Sequence, residues 1–247
     1  MLLKACVNGP RRPGEHPALP VTASDLATEV RLVVAAGADA VHLHVKDDDG
    51  ADTLDGPRLA GVLAAVRPVS PGTPVGVTTG AWAMPDPDRR VSAVRGWTVL
   101  PDFAGVNWHE PGAEQVAATL LGLGIGVEAG LWHAAAVEAW LSSPLSRSCF
   151  RILIELPDGL DATATETEAD QLLALIPDDR RASATVLLHG QGDSAWPALR
   201  HAGRRGLATR IGLEDVLELP DGRVTPDNAS LIRAARSMMS ASPPVAG

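Results

Sequence analysis

The stretch PDFAGVNWHEPGAEQVAATLLGLGIGVE, residues 101–128, contains one full turn of the pattern that decides the fold. Residues 102–107 form a short apolar run with the length of a strand, a turn signal follows, and 112–121 reads as a helix. Residues 124–128 then open the next apolar run. Short apolar runs separated by helices predict parallel strands joined by crossover helices. Gly122, Gly124 and Gly126 imitate the spacing of a dinucleotide-binding loop, but they precede a strand instead of following one, so no such loop is expected.

Outward from this unit the alternation recurs until eight strands are counted, at 2–7, 39–45, 74–78, 102–107, 124–128, 150–155, 185–189 and 209–213. The first helix is expected over 23–36, with Leu26, Val30 and Val33/Val34 as its apolar stripe, Thr22–Asp25 before it and Gly37 after it. The last is expected over 226–239, led by Pro226-Asp-Asn. Eight strand-then-helix units in 247 residues match the roughly 250 residues of a (β/α)8 barrel, whereas an open doubly wound sheet has fewer strands. One barrel domain is expected over 1–239, with a frayed Ser/Pro/Ala tail at 240–247.

Composition narrows the partners. With 45% hydrophobic and 21% charged residues the chain can bury a core, and its net charge of −9 argues against binding a phosphate backbone. No apolar run reaches the roughly 18 residues of a membrane span, and the first residues do not read as a secretory signal, so a cytoplasmic protein is expected. Cys6 and Cys149 stand apart without metal-binding spacing and read as small buried hydrophobes.

In a barrel the functional question is which polar groups close the strands. The apolar runs end at or near Asn8, His42 and His44, Thr78-Thr79-Gly80, Asn107, Glu128, Glu155, His189 and Glu214-Asp215. His42 and His44 are two apart on one strand and so face the same side. Two imidazoles need a third ligand, usually a carboxylate, and strand 8 lies near strand 2 in a closed barrel, which makes Glu214 the candidate. A hydrogen-bonded histidine pair without metal is the competing reading.

Arg210 interrupts an otherwise apolar strand and is expected to face inward, either binding a substrate carboxylate or pairing with Glu15 or Asp215. His189 precedes Gly190-Gln-Gly192-Asp193-Ser194, a loop whose backbone amides suit a phosphate or carboxylate, unless Asp193 or Ser194 simply caps the next helix. Asp47-Asp48-Asp49-Gly50 lacks the glutamate of a calcium loop and reads as a solvated turn. His109-Glu110 reads as either support for the site or surface.

Lys4-Ala-Cys-Val-Asn-Gly9, Glu15-His-Pro17, His42-Leu-His44, Thr78-Thr-Gly80, Gly126-Val-Glu128 and Arg210-Ile-Gly-Leu-Glu-Asp215 together resemble the β-keto acid cleavage enzyme family, of the 3-keto-5-aminohexanoate cleavage type. The resemblance runs from the first strand to Asp227-Asn228. It implies a zinc-dependent exchange in which a β-keto acid and acetyl-CoA give acetoacetate and a new CoA thioester, in a homo-oligomer, a tetramer by family pattern. It implies His42, His44 and Glu214 as zinc ligands and Asp215 as proton acceptor, supported by Arg210 and Glu15. Thr78 and Gly80, with Thr79 and Asn107 beside them, would contact the substrate. Glu128 would read its distal end, favouring a cationic β-keto acid unless it pairs with a cation such as Lys46. Lys46 itself stands where the family usually has arginine. A metal-dependent aldolase or hydrolase that does not use CoA, and a non-catalytic ligand-binding barrel, are the alternatives.

Overall fold

The computed structural model describes residues 1–241. Its eight strands, β1 (Leu3–Cys6), β2 (Ala40–Leu43), β3 (Val75–Thr78), β4 (Phe103–Asn107), β5 (Gly126–Leu131), β6 (Arg151–Leu156), β7 (Thr185–Gly190) and β8 (Ala208–Ile211), are all parallel and close into a barrel in chain order. Most match the expected runs to within a residue or two. The largest shift is in β5, which runs to Leu131, so Glu128 lies inside the strand and does not close it.

Nine helices among the described residues complete the architecture: α1 (Ala23–Ala35), α2 (Gly56–Val66), α3 (Pro87–Arg95), α4 (Ala113–Gly122), α5 (Ala134–Ser142), α6 (Ala162–Leu175), α7 (Asp178–Ser183), α8 (Ala195–Arg205) and α9 (Asn228–Ala241). Helix α1 starts where Thr22 and Asp25 exchange side-chain-to-backbone hydrogen bonds, a capping box, and it buries Leu26, Val30 and Val33 against the barrel. Ser240 and Ala241 belong to α9 and not to a tail, and the rest of the expected tail, 242–247, lies outside the described residues. No described helix is long and apolar enough to cross a membrane.

The apolar core lies mainly between the barrel and its helices, as outward-facing strand residues such as Val41, Val75, Val127 and Ile152 pack under the helix stripes. The barrel interior differs. A small separate cluster of Leu153, Leu187 and Ala208, with Leu2 against it, fills part of it. Beside this cluster the interior is charged: Glu128 accepts from Lys4 Nζ at 2.7 Å and from the Arg151 guanidinium, all three buried. The Phe103 ring packs its edge against Gly76, where a Cβ would collide with it.

Barrel closure places the top of β8. Gly212 runs so close to Cys6 that a Cβ would meet the Cys6 carbonyl. Asn228 donates to Val7 O at 2.9 Å and accepts from Leu213 N at 2.7 Å, pinning the residue before Glu214 to the end of β1. Buried Glu29 of α1 accepts from Asn228 N and so ties in the start of α9.

Candidate active site and metal centre

The polar groups at the carboxyl ends of the strands line a cavity of about 260 Å3 in the barrel mouth. On the β2 and β8 side, His42 and His44 aim Nε2 at one atom, Glu214 Oε2, at 3.9 and 3.8 Å. These donors cluster tightly enough to share one ion. A zinc ion with bonds of about 2.0–2.1 Å to each donor holds its ligands somewhat closer than this. Glu214 Oε2 is buried without a hydrogen-bond partner among the described residues, an arrangement too costly to leave uncompensated. Burial holds the His42 imidazole well below its ordinary pKa, against the pull of Glu214, so it is neutral and able to ligate. The three residues therefore fit a divalent cation.

His44 is held from behind. Asn8 accepts from its backbone N at 2.8 Å and donates to its carbonyl at 2.9 Å. Its Nδ1 donates to Asp52 at 2.6 Å, which leaves Nε2 for the site. A carboxylate–imidazole pair of this kind is the arrangement that fixes a histidine's ring for metal binding. Asp52 also accepts from Lys46 Nζ at 2.6 Å and from Trp82 Nε1 at 2.7 Å. Burial opposes its ionisation, but the bonds and charges of His44 and Lys46 outweigh that and hold its pKa at about 2. The Trp82 ring stacks near His44, with centroids 6.0 Å apart.

Arg210 forms the second cluster. Its guanidinium donates to Glu214 Oε1 at 2.9 Å and to Asp215 Oδ1 at 2.8 Å, and it lies 3.9 Å from Glu155. His189 donates from Nε2 to Glu155 at 3.1 Å, while its Nδ1 lies 3.5 Å from Asp215 without hydrogen-bond alignment. Burial raises the pKa of both Glu214 and Asp215, but the Arg210 guanidinium beside them outweighs it and keeps both carboxylates ionised. Asp215 Oδ2 is buried without a partner among the described residues.

Several expectations change here. Glu15 is not gathered with Asp215: its carboxylate is 44% exposed and accepts from Arg11 and from Arg12 N. It touches the site indirectly, because Arg11 also donates to Leu213 O. Arg210 accordingly pairs with Asp215 and Glu214, not with Glu15. Lys46 does not meet Glu128, since its ammonium is used on Gly9 O, Arg11 O and Asp52.

Glu128 touches the cavity from below, yet Lys4 and Arg151 share its carboxylate. Burial opposes its charge and these two cations prevail, so its pKa is lowered. Thr79 donates its hydroxyl to Gly105 O, whereas Thr78 lines the cavity and accepts from Gly80 N. Gly80 is covered by the Trp82 ring, which a Cβ would strike. Asn107 lines the cavity, and Glu110, itself paired with Arg90, accepts from its amide N. The amides of the 190–194 loop are already used, Gly192 N by Asp215 O and Asp193 N by Asp158 Oδ1, so the loop makes no open anion site. His189 joins Glu155 and does not stand alone.

Asp52, Trp82 and Trp132 were not anticipated. The turn at Gly50, with φ 74°, folds the chain back so that Asp52 pairs with Lys46 across an antiparallel bridge. The acidic run conceals this. A Lys two residues beyond a His pair, followed by a glycine turn and an aspartate, was the available signal.

A (β/α)8 barrel with two histidines and one carboxylate grouped closely enough to hold a cation at its carboxyl end, beside an arginine–carboxylate cluster, is the class that fold and site define. Within that class the chain belongs to the β-keto acid cleavage enzyme family, whose sequence profile matches residues 1–243. Among curated relatives, a 3-keto-5-aminohexanoate cleavage enzyme of Fusobacterium nucleatum is 35% identical over 91 residues, covering 36% of this chain and 34% of that protein. A 3-oxoadipate:acetyl-CoA acetyltransferase of Cupriavidus necator is 38% identical over 69 residues, 28% of this chain and 24% of that one. The matched segments thus span about a quarter to a third of these relatives' lengths. Among solved structures, the binary complex of ObcA with oxaloacetate superposes with a TM-score of 0.73 at 15% identity, covering 93% of this chain and 65% of that one, a likeness of fold.

Proposed function

We propose that the protein exchanges acyl groups between a β-keto acid and acetyl-CoA, giving acetoacetate and a new acyl-CoA, with a divalent metal, zinc, held by His42, His44 and Glu214. The observation that carries this reading is the convergence of both Nε2 atoms on the unpartnered Glu214 Oε2, next to the Arg210–Asp215 pair. Family membership supplies the reaction class. When bound, the ion supplies Lewis acidity for negative charge developing on the keto acid oxygens.

The chain's own groups do the rest. Asp215, held ionised by Arg210, takes a proton from the carbon between the carboxylate and the keto group. Its Oδ2 is the acceptor, because Oδ1 is already bonded to Arg210. Arg210 lines the cavity, where its guanidinium meets the substrate carboxylate, and it holds Asp215 directly behind it. Thr78 donates its hydroxyl proton to the same carboxylate. The resulting carbanion attacks the thioester carbonyl and expels the CoA thiolate. The thiolate adds to the original keto carbon, the carbon–carbon bond breaks, and Asp215 returns the proton to acetoacetate.

The test is metal analysis of the purified protein, followed by a mass-spectrometric screen for new CoA thioesters across a panel of β-keto acids. About one zinc per chain and a new thioester are expected. Metal with cleavage but no thioester would favour a CoA-independent lyase or aldolase.

A further inference from the structure

Of the six tryptophans only Trp82 is exposed, at 48%. Burial does little to hold it, so its placement is decided by its bonds. Its Nε1 donates to Asp52 Oδ2 at 2.7 Å, the same oxygen that accepts from His44 Nδ1 at 2.6 Å. Beside it in the chain, Ala81 N donates to Glu110 Oε2 at 2.9 Å and Ala83 N donates to Gly80 O at 3.1 Å, which fixes the loop after β3 on both sides of the ring. The ring covers Gly80 and lies nearly parallel to the His44 imidazole, with 14° between the planes. Ordering a half-exposed ring costs side-chain entropy that its partial burial offsets only in part.

The bond matters because of where its acceptor stands. Lys46 Nζ holds the other oxygen, Oδ1, at 2.6 Å, but His44, Lys46 and Asp52 all belong to one short stretch folded back at Gly50. Among the described residues, Trp82 is the only side chain from outside that stretch to bond the carboxylate. With Lys46 alone opposite His44, the carboxylate is free to pivot about Oδ1 and leave the imidazole. The indole N–H, arriving from the loop after β3, closes that motion. His42 has no comparable support, since its Nδ1 is buried without a hydrogen-bond partner among the described residues. Orientation of the imidazole pair therefore rests on the Asp52 side.

We propose that Trp82 is a positioning residue for the metal centre: its indole N–H fixes the Asp52 carboxylate on His44 and so sets how tightly His42, His44 and Glu214 hold a divalent ion. This rests on the metal reading above and adds a residue that acts through Asp52 and not on the ion itself. An imidazole whose Nδ1–H is held in place keeps Nε2 in one orientation and in the tautomer that ligates, which raises affinity without a further ligand.

The test measures zinc affinity by chelator competition for wild type, Trp82→Phe, Asp52→Ala and the double variant, with the Tm of each metal-free protein alongside. Phenylalanine keeps a ring over Gly80 and removes the donor. Trp82→Phe is expected to weaken zinc binding roughly threefold to tenfold, the net worth of an ordinary hydrogen bond, with the metal-free Tm unchanged. In the Asp52→Ala background the same substitution is expected to add nothing, because the indole has lost the group it acts through. Wild-type zinc affinity in Trp82→Phe overturns the proposal. So does a loss that persists in the Asp52→Ala background, with or without a lower metal-free Tm, since the indole then acts by another route or as general scaffolding. Wild-type protein that binds no zinc overturns the metal reading and this proposal together, whereas zinc held equally well by wild type and Trp82→Phe overturns this proposal alone.

Discussion

Two buried triads share the barrel, and they end in opposite states. Lys4, Glu128 and Arg151 form a charged cluster in which both cations bond the one carboxylate. Above it, His42, His44 and Glu214 converge without bonding one another, and Glu214 Oε2 has no hydrogen-bond partner among the described residues. A buried ionic cluster that satisfies itself is part of the framework, because its partners have no capacity left for a ligand. One whose donor atoms point at a common, unbonded spot is organised for something that arrives later. The contrast explains why an ionised residue inside the barrel, such as Glu128, need not read substrate.

The sharpest way to break this contrast is at the upper triad. His44→Ala is expected to abolish copurifying metal by ICP-MS, and metal-free protein with full activity would dismantle the centre. Asp215→Asn is expected to keep the metal and lose turnover by at least on the order of a hundredfold, since the amide cannot accept a proton. Loss of metal in that variant would instead make Asp215 a ligand.

At the lower triad the expected effect is on stability. Glu128→Ala strands two buried cations and should cost about 3–5 kcal/mol in urea unfolding, with the metal content of the folded fraction unchanged. A mild cost there would mean that the cluster relaxes or admits water. Asp52→Asn tests the support of His44: metal affinity by chelator competition should fall roughly 10–100-fold.

The smallest effect concerns the thiols. Burial pushes Cys149 up to about 11 and Cys6 well above its usual value. Native protein at pH 8 should therefore leave a disulfide reagent unreduced, and Cys149 should react increasingly as pH approaches 11. Rapid labelling of native protein at pH 8 would show that this part of the core opens.

Most of the barrel was legible because its signals are local. Apolar runs set the strands, Thr22 and Asp25 set the start of α1, and Asn107 and His189 mark strand ends with little error. The His42/His44 pair was legible for the same reason, since alternation along a strand is a property of neighbours. β5 was misjudged at its end because Glu128 interrupts the apolar run and Gly130, a residue that favours turns, follows it; only pairing with β4 and β6 defines that boundary.

By itself, then, the sequence determined the eight-unit rhythm, the side of β2 that carries both imidazoles and the chemical inventory of the mouth. Tertiary structure decided how that inventory is divided. It brought Lys4 and Arg151 to Glu128, returned Asp52 to His44 through the Gly50 turn, drew His189 to Glu155, and left Glu15 half exposed beside Arg11 and Arg12. The physical reason is that a buried charge is settled by whichever partner the closed barrel places within about 3 Å of it. For Glu128, His44 and His189 those partners lie from 8 to 124 positions away along the chain, beyond what local periodicity can report.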